Sequence, residues 1–287
     1  MGDQLKFIGS LLNRTPPTRL FHYTTQDGLL GIIGKGELWA TASQYLNDTS
    51  EFELAQEVAR TVLSGRKAKA RTKRESSLLE EMEEAVKFAG ALVCVSSFSE
   101  NGDALGQWRG YSQGATGYAI GFDPLKLREV AAKQNYILVP CIYDERLQFE
   151  MMDSIIQENL DRNAVLISTN EFENEIPGGD FGYHLNRYAL VLKNSAFKEE
   201  AEWRLISGLG RYTSARMRFR GGKSTIVPYE IVQLADEGES LPVRNVVVGP
   251  TPLAVEARNA VRGLLIANRR DHKTVNVGNS VIPYRHW

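Results

Sequence analysis

At 287 residues and 43% hydrophobic, the chain is long enough to bury a full core, and its 34 basic residues against 35 acidic ones leave a net charge of -1. That balance gives no bulk attraction for nucleic acid or an anionic membrane, so any such contact must be local. No window approaches the roughly 20 apolar residues of a membrane span, and Cys94 and Cys141 sit in apolar runs without metal-ligand spacing, which predicts buried thiols in the reducing cytoplasm and no structural metal.

Pro16-Pro17 is the first strong punctuation and separates an amphipathic leader, residues 1–17, from a single domain over residues 18–287. The leader MGDQLKFIGSLLNR carries early charge and no long apolar stretch, so it does not read as a secretion signal. Leu20-Phe21-His22-Tyr23-Thr24-Thr25 reads as a strand. Thr25 or Asp27 can then cap a helix that ends at Gly34 or Gly36 and releases a second strand over 37–41. From 51 to about 90 the pattern is helical, interrupted by the basic run from Gly65 to Arg74. A nucleic-acid surface competes there with a solvated interhelix connection, and the glutamates that follow favour the connection.

Strand patterns follow over 92–99, 117–122 and 137–143, then a second helical insertion within about 145–180 and a strand near 188–192. The last third predicts a strand at Trp203, a hairpin around Gly221-Gly222, a strand over 246–248, a helix over about 253–268 and a final strand over 274–277. Strands outnumber helices and do not alternate with them as βαβ units do, so the fold class is α+β.

Three segments place polar residues in strand-like surroundings: His22-Tyr23, Ser97-Phe98-Ser99, and Glu200-Ala201-Glu202. Strand alternation puts Ser97 with Ser99, and Glu200 with Glu202, on common faces, so each pair can point into one cleft. A carboxylate facing an electron-poor sugar carbon stabilises an oxocarbenium-like transition state, and a nearby histidine can bond ribose hydroxyls. Each feature also has a plain structural reading. His22 can be a hydrogen-bonded core histidine, and Glu202 can pair with Arg204 or Lys198. Asp48 and Glu51 have capping-box spacing, and Asp103, Trp108, Arg109 and Tyr111 can be a packed loop. Gly249-Pro250 resembles a phosphate-binding turn. In a hairpin, Arg216, Arg218 and Arg220 share one face, suited either to water or to a phosphate backbone.

LFHYTT, with the helix ending in GKGELWAT, resembles the opening of the ADP-ribosyltransferase fold, in which a histidine or arginine on the first strand contacts the nicotinamide ribose. Ser97-Phe98-Ser99 is similar to that superfamily's Ser-Thr-Ser strand, with Phe98 in place of the middle hydroxyl residue, and Glu200-Ala201-Glu202 is similar to its Glu-x-Glu element. The chain also resembles a bacterial family catalogued as domain of unknown function 2971, through HYT, YLNDTSEFE, SFSENGDALGQWRGYS, EWR and SVIPYR. The first resemblance implies split mixed and antiparallel sheets with flanking helices, and NAD bound between them without a metal. It implies His22 on the ribose, Tyr23 making backbone contacts to nicotinamide, Ser97 and Ser99 ordering the site, and Tyr111 or Tyr118 stacking on nicotinamide. Glu202 would stabilise the oxocarbenium ion and Glu200 would activate a protein or nucleic-acid acceptor, in the manner of a toxin or antiphage effector. Asp103, Arg109, Arg204, Arg218 and Arg285 are candidates for substrate or phosphate contact. A non-catalytic nucleotide sensor on the same fold, and an RNA-directed phosphotransferase or nuclease, remain as alternatives.

Overall fold

The computed structural model describes residues 6–46, 50–87, 91–111, 116–169, 179–222, 224–236, 239–268 and 274–284. In chain order the elements are α1 (Lys6–Leu12), β1 (Leu20–Thr24), α2 (Gln26–Lys35), β2 (Glu37–Ala42), α3 (Ser50–Lys67), α4 (Lys73–Lys87), β3 (Cys94–Ser99) and α5 (Leu105–Tyr111). Then come β4 (Tyr118–Phe122), α6 (Pro124–Ala132), β5 (Tyr136–Pro140), α7 (Glu145–Thr169), α8 (Gly179–Tyr188) and 3-10 turns at Ala189–Val191 and Ser195–Glu200. The chain continues through β6 (Glu202–Ser207), β7 (Met217–Gly221), β8 (Ile226–Gln233), β9 (Val243–Val248), α9 (Ala254–Ala267) and β10 (Asn276–Asn279). Among the described residues, no helix is long and apolar enough to cross a membrane.

The strands form one mixed sheet that forks at β3. One edge of β3 pairs antiparallel with β6 from Val95↔Ile206 to Ser99↔Glu202. Its other edge is shared: β1 meets it at Phe21↔Ser99, and β2 at Thr41↔Val95 and Ala42↔Cys94. Away from those contacts β1 and β2 splay apart, β1 continuing through β4 and β9 to β10, and β2 through β8 to β7. Only β9 and β10 run parallel among the named strand pairs. This is the α+β, mixed-sheet architecture that the order of elements indicates.

Local chemistry explains the elements beside the fork. Thr25 caps α2 by accepting from Gly28 N at 3.3 Å, and Gly36 ends it in the left-handed region at φ 71°, donating to Ile32 O. That seats Leu29, Ile32 and Ile33 in one core, together with residues of α6 and α9. The second core lies on the opposite face of β3, β5 and β6, and is filled from α1, α3, α4, α7 and α8.

Several expectations change. The leader contributes α1, whose Ile8 and Leu11 are buried in the second core. The described helices of the two expected insertions, α3, α4, α7 and α8, form a layer over the sheet. Residues 188–191 are helical, not a strand, and Leu192 makes only an isolated bridge to Ile142. A fully buried apolar run has no alternation to identify it, and Ala189 to Leu192 is buried throughout. The helices α5 and α6 were not anticipated, although Asp123 before Pro124 signals the second, its carboxylate accepting from Leu125 N and Lys126 N. The basic run joins α3 to α4: Arg66 pairs with Asp153 and Lys67 with Glu83, each at 2.7 Å. Gly249 is required by packing, since a Cβ there would lie 2.8 Å from Gly117 O and 3.0 Å from the Trp108 ring.

The junction of β1 with β3 is tight. A Cβ at Gly102 would fall 2.3 Å from the ring of Phe21, the residue that pairs with Ser99. Gly102→Ala is expected to lower unfolding free energy by about 1–3 kcal/mol through overpacking, measured by urea denaturation with an unchanged m-value.

Candidate functional site

The fork leaves a cleft of about 500 Å³ whose floor is β3, a size suited to a nucleotide-class ligand. His22, Tyr23, Ser97, Ser99, Tyr111, Glu200, Glu202 and Arg204 all line it. Tyr118, Asp103, Arg109 and Arg218 do not. Arg285, Asn47 and Asp48 lie outside the described residues.

His22 sits where β1 parts from β2, and its Nδ1 lies 2.9 Å from the Ser97 carbonyl. A carbonyl only accepts, so Nδ1 carries the proton and Nε2 of the neutral ring is an acceptor. Burial pulls the imidazole below its ordinary range, against the smaller opposing effect of that bond, which keeps it neutral at pH 7. Tyr23 is a strut: its hydroxyl donates to Asn101 O at 2.8 Å and accepts from Ala104 N at 3.0 Å, and its ring stands edge-on to Trp108. Ser99 is also committed, donating to Glu200 O at 2.7 Å and accepting from Asn101 N at 3.1 Å. It thereby ties the end of β3 to the carboxylate segment.

Glu200 and Glu202 meet in the cleft by a different route from strand alternation. Glu200 closes a 3-10 turn, Ala201 follows in the left-handed region at φ 42°, and only Glu202 is in a strand. What joins them is Lys193, which bonds Glu200 at 2.5 Å and also bonds Glu202. Arg204 donates from Nε to Glu202 Oε1 at 2.7 Å and in a fork to both Glu51 oxygens at 2.6 Å. Glu51, Lys193, Glu202 and Arg204 are each no more than 5% exposed. Burial opposes charge on Glu202, but Arg204 and then Lys193 outweigh it and hold its carboxyl down to about 2. Burial likewise opposes the Lys193 ammonium, and the carboxylates, Glu202 foremost, hold it above the lysine range. By formal charge the three carboxylates exceed the two cations, so the cluster is net negative.

Neither Glu51 nor Lys193 was read as a site residue. Glu51 has the look of a helix-start acid, and its partner Arg204 is 153 residues away. Lys193 follows a buried apolar run, and a lysine at such a place must be paired. The remaining wall carries Trp39, tilted 31° against Tyr229 with ring centroids 4.4 Å apart, and Arg220, which reaches Thr41 Oγ1 at 3.4 Å.

The other candidates have structural work. Tyr118 is 7% exposed in the first core, whereas Tyr111 faces the cleft, and Tyr111's phenol is pushed up by burial and then by the charges of Glu202 and Glu200. Asp103 accepts from Trp108 Nε1 at 2.6 Å, Ser280 Oγ at 2.5 Å and Val281 N at 2.8 Å, and Arg109 lies over Tyr284. Together they fasten the C-terminal segment beside α5. The three hairpin arginines diverge: Arg216 turns to Gln134 O and Glu230, Arg218 bonds the carbonyls of Ala215 and Met217, and Arg220 alone lines the cleft. A continuous basic face is therefore not formed.

Glu202 has an ordinary carboxyl value of 4.5 when unfolded and is depressed when folded. Its contribution to stability is therefore complete above the unfolded value and is lost as pH falls toward about 2. Urea unfolding between pH 7 and pH 2.5 is expected to show wild-type stability falling more steeply than that of Glu202→Gln, by roughly 3 kcal/mol at most. Parallel curves would remove the ionised Glu202 from this description.

Residues 107–205 match the family described as Protein of unknown function (DUF2971). No curated protein and no solved structure matches the chain. The matched stretch supplies Tyr111, Lys193, Glu200, Glu202 and Arg204 to the cleft, and over those residues the chain is similar to that family.

Proposed function

We propose that the cleft binds NAD and transfers its ADP-ribosyl group to a nucleophile on a protein or nucleic acid, the chemistry of an ADP-ribosyltransferase-like enzyme. The observation that carries this reading is the meeting of a neutral His22 and an ionised Glu202 in one cleft, on strands that flank β3 from opposite edges. The splaying of β1 from β2 supports the resemblance to the split sheets of that superfamily. The residues present fit such a ligand. Arg220 lines the cleft as a counter-charge for a pyrophosphate.

NAD is a substrate in this scheme. The bond from ribose C1′ to the nicotinamide nitrogen breaks, and its electron pair leaves with nicotinamide. Positive charge then develops on C1′ and the ring oxygen, where the net-negative cluster around Glu202 stabilises it. An acceptor nucleophile bonds to C1′ from the opposite side and gives up its proton. Glu200, whose side chain is 34% exposed, is the carboxylate placed to take that proton. His22 Nε2 accepts from a ribose hydroxyl, and the Ser97 carbonyl fixes the ring's orientation. Ser99 positions Glu200 through its backbone carbonyl.

A non-catalytic nucleotide sensor is the second reading, and one observation favours it: both Glu202 oxygens are already engaged by Arg204 and Lys193, which reduces the field left for a bound sugar. Nicotinamide release separates the two. Wild type is expected to release nicotinamide from NAD, and Glu202→Gln to do so about 10²–10³-fold more slowly while still binding NAD in a calorimeter. Binding without release by wild type would establish the sensor, and equal release by both proteins would exclude Glu202 as the stabilising carboxylate.

A further inference from the structure

The near-neutral charge of the chain hides a local excess. Residues 205–229 contain Arg211, Arg216, Arg218, Arg220 and Lys223 and no Asp or Glu, in a chain whose acids elsewhere outnumber its bases. The β7–β8 hairpin in this stretch forms the outer end of one wing of the sheet, beyond β2. Met217 is buried in the first core, so Arg218 and Arg220 stand on the other face of β7, and both are exposed. Arg218 pairs with Tyr229, which pairs with Thr41, so one cross-strand row runs from the edge of the sheet to the cleft. Trp39 lies against Tyr229 on that face and is 44% exposed. Trp39, Thr41 and Arg220 line the cleft, whereas Arg218 lies outside it. Arginine on an edge strand also guards against edge-to-edge pairing, and a lone exposed aromatic is ordinary. Neither accounts for the combination, since Trp39 is on the inner strand β2 and its ring is braced by Tyr229 in the wall of a cleft.

We propose that this face is a platform for single-stranded nucleic acid, with an unpaired base stacked on Trp39 and consecutive phosphates on Arg220 and Arg218. Alternate residues of a strand lie about 6.8 Å apart, which matches neighbouring phosphates of an extended nucleotide strand. Arg218 spends Nη1 on the carbonyls of Ala215 and Met217, and Arg220 spends Nη2 on Thr41 Oγ1, so each guanidinium is braced through one nitrogen while the residue stays exposed. A duplex keeps its bases stacked on one another and offers Trp39 no free face, so the platform selects unpaired strands. Cations that continue past the cleft exceed what a dinucleotide inside it can use, which favours a polymer over the adenine end of NAD. The platform deepens the reading above by making the acceptor a nucleic acid. Its part in transfer rests on that reading, whereas strand binding does not.

Labelled single-stranded RNA or DNA of about 12 nucleotides is titrated, without NAD, by fluorescence anisotropy. The proteins are full-length wild type, Trp39→Leu, Trp39→Phe, Arg218→Ser and the control Arg146→Ser, whose exposed side chain pairs with Glu150 on α7. Between about 50 and 200 mM salt, wild-type affinity is expected to fall steeply, and Arg218→Ser to reduce the log-log slope by about 0.7. Trp39→Leu keeps apolar bulk without a ring. It is expected to weaken binding roughly tenfold at every salt concentration with the slope unchanged, because a stacking contact releases no counterion. Trp39→Phe restores the ring and most of the binding, and Arg146→Ser matches wild type. Unaltered affinity and slope in Trp39→Leu and Arg218→Ser, equal binding of the matching duplex, or equal competition by AMP and the unlabelled strand would each overturn the platform. NAD turnover by a protein that binds neither strand would point to a protein acceptor and overturn the platform, leaving the NAD reading intact. Strand binding with the expected losses, but no nicotinamide release from NAD, would sustain the platform and overturn the NAD reading.

Discussion

The buried pairing of Arg204 with Glu51 and Glu202, completed by Lys193, is the constraint on which the rest of the cleft depends. Desolvating two cations and two carboxylates is costly, and well-packed apolar residues of the same volume are often as stable. Such a cluster is thus poorly explained by stability alone. It does fix geometry: the first turn of α3 must present Glu51, and the chain after α8 must deliver Lys193. The Ser195–Glu200 turn must then bring Glu200 to the same ammonium. Elements far apart in sequence converge because a buried charge tolerates few arrangements.

The fork of the sheet is the second half of the design. A strand shared by two partners on one edge leaves its middle backbone groups to find other bonds. Ser97 finds His22, so the histidine both satisfies the opening and is oriented by it. The gap between β1 and β2 is held open by packing on either side: α2 wedges beneath it in the first core, and Tyr23, Trp108 and Ala119 form a separate cluster beside it. Asp103 pins that cluster to the C-terminal segment, so two stretches far apart in the chain, around 103 and around 280, buttress one wall.

Much of this was legible in the residues. The strand-helix-strand opening, the α+β class and the convergence of His22, Ser97, Ser99, Glu200 and Glu202 on one cleft follow from short-range pattern and from ordered motifs, while the structure chooses Thr25 over Asp27 and Gly36 over Gly34 as the caps of α2. What escaped was long-range. Glu51 reads as a helix-start acid until Arg204 is folded onto it, and Lys193 is invisible without its three carboxylates. Alternation misplaced Glu200 because Ala201 turns the chain left-handed between the two glutamates. It also implied one face for three hairpin arginines, whereas Arg216 precedes β7 and turns to Tyr136 and Glu230. The strand expected near 188–192 gives way to a helical turn through Val191 for the opposite reason, since total burial erases periodicity.

A crystal structure of Glu202→Gln grown with saturating NAD tests the central claim most directly, because the variant leaves two carboxylates against two cations and slows consumption of the ligand. The account predicts density for NAD in the cleft, its nicotinamide ribose within hydrogen-bond distance of His22 Nε2 and its C1′ carbon facing residue 202. An empty cleft at saturating NAD, or NAD bound elsewhere on the chain, would contradict it.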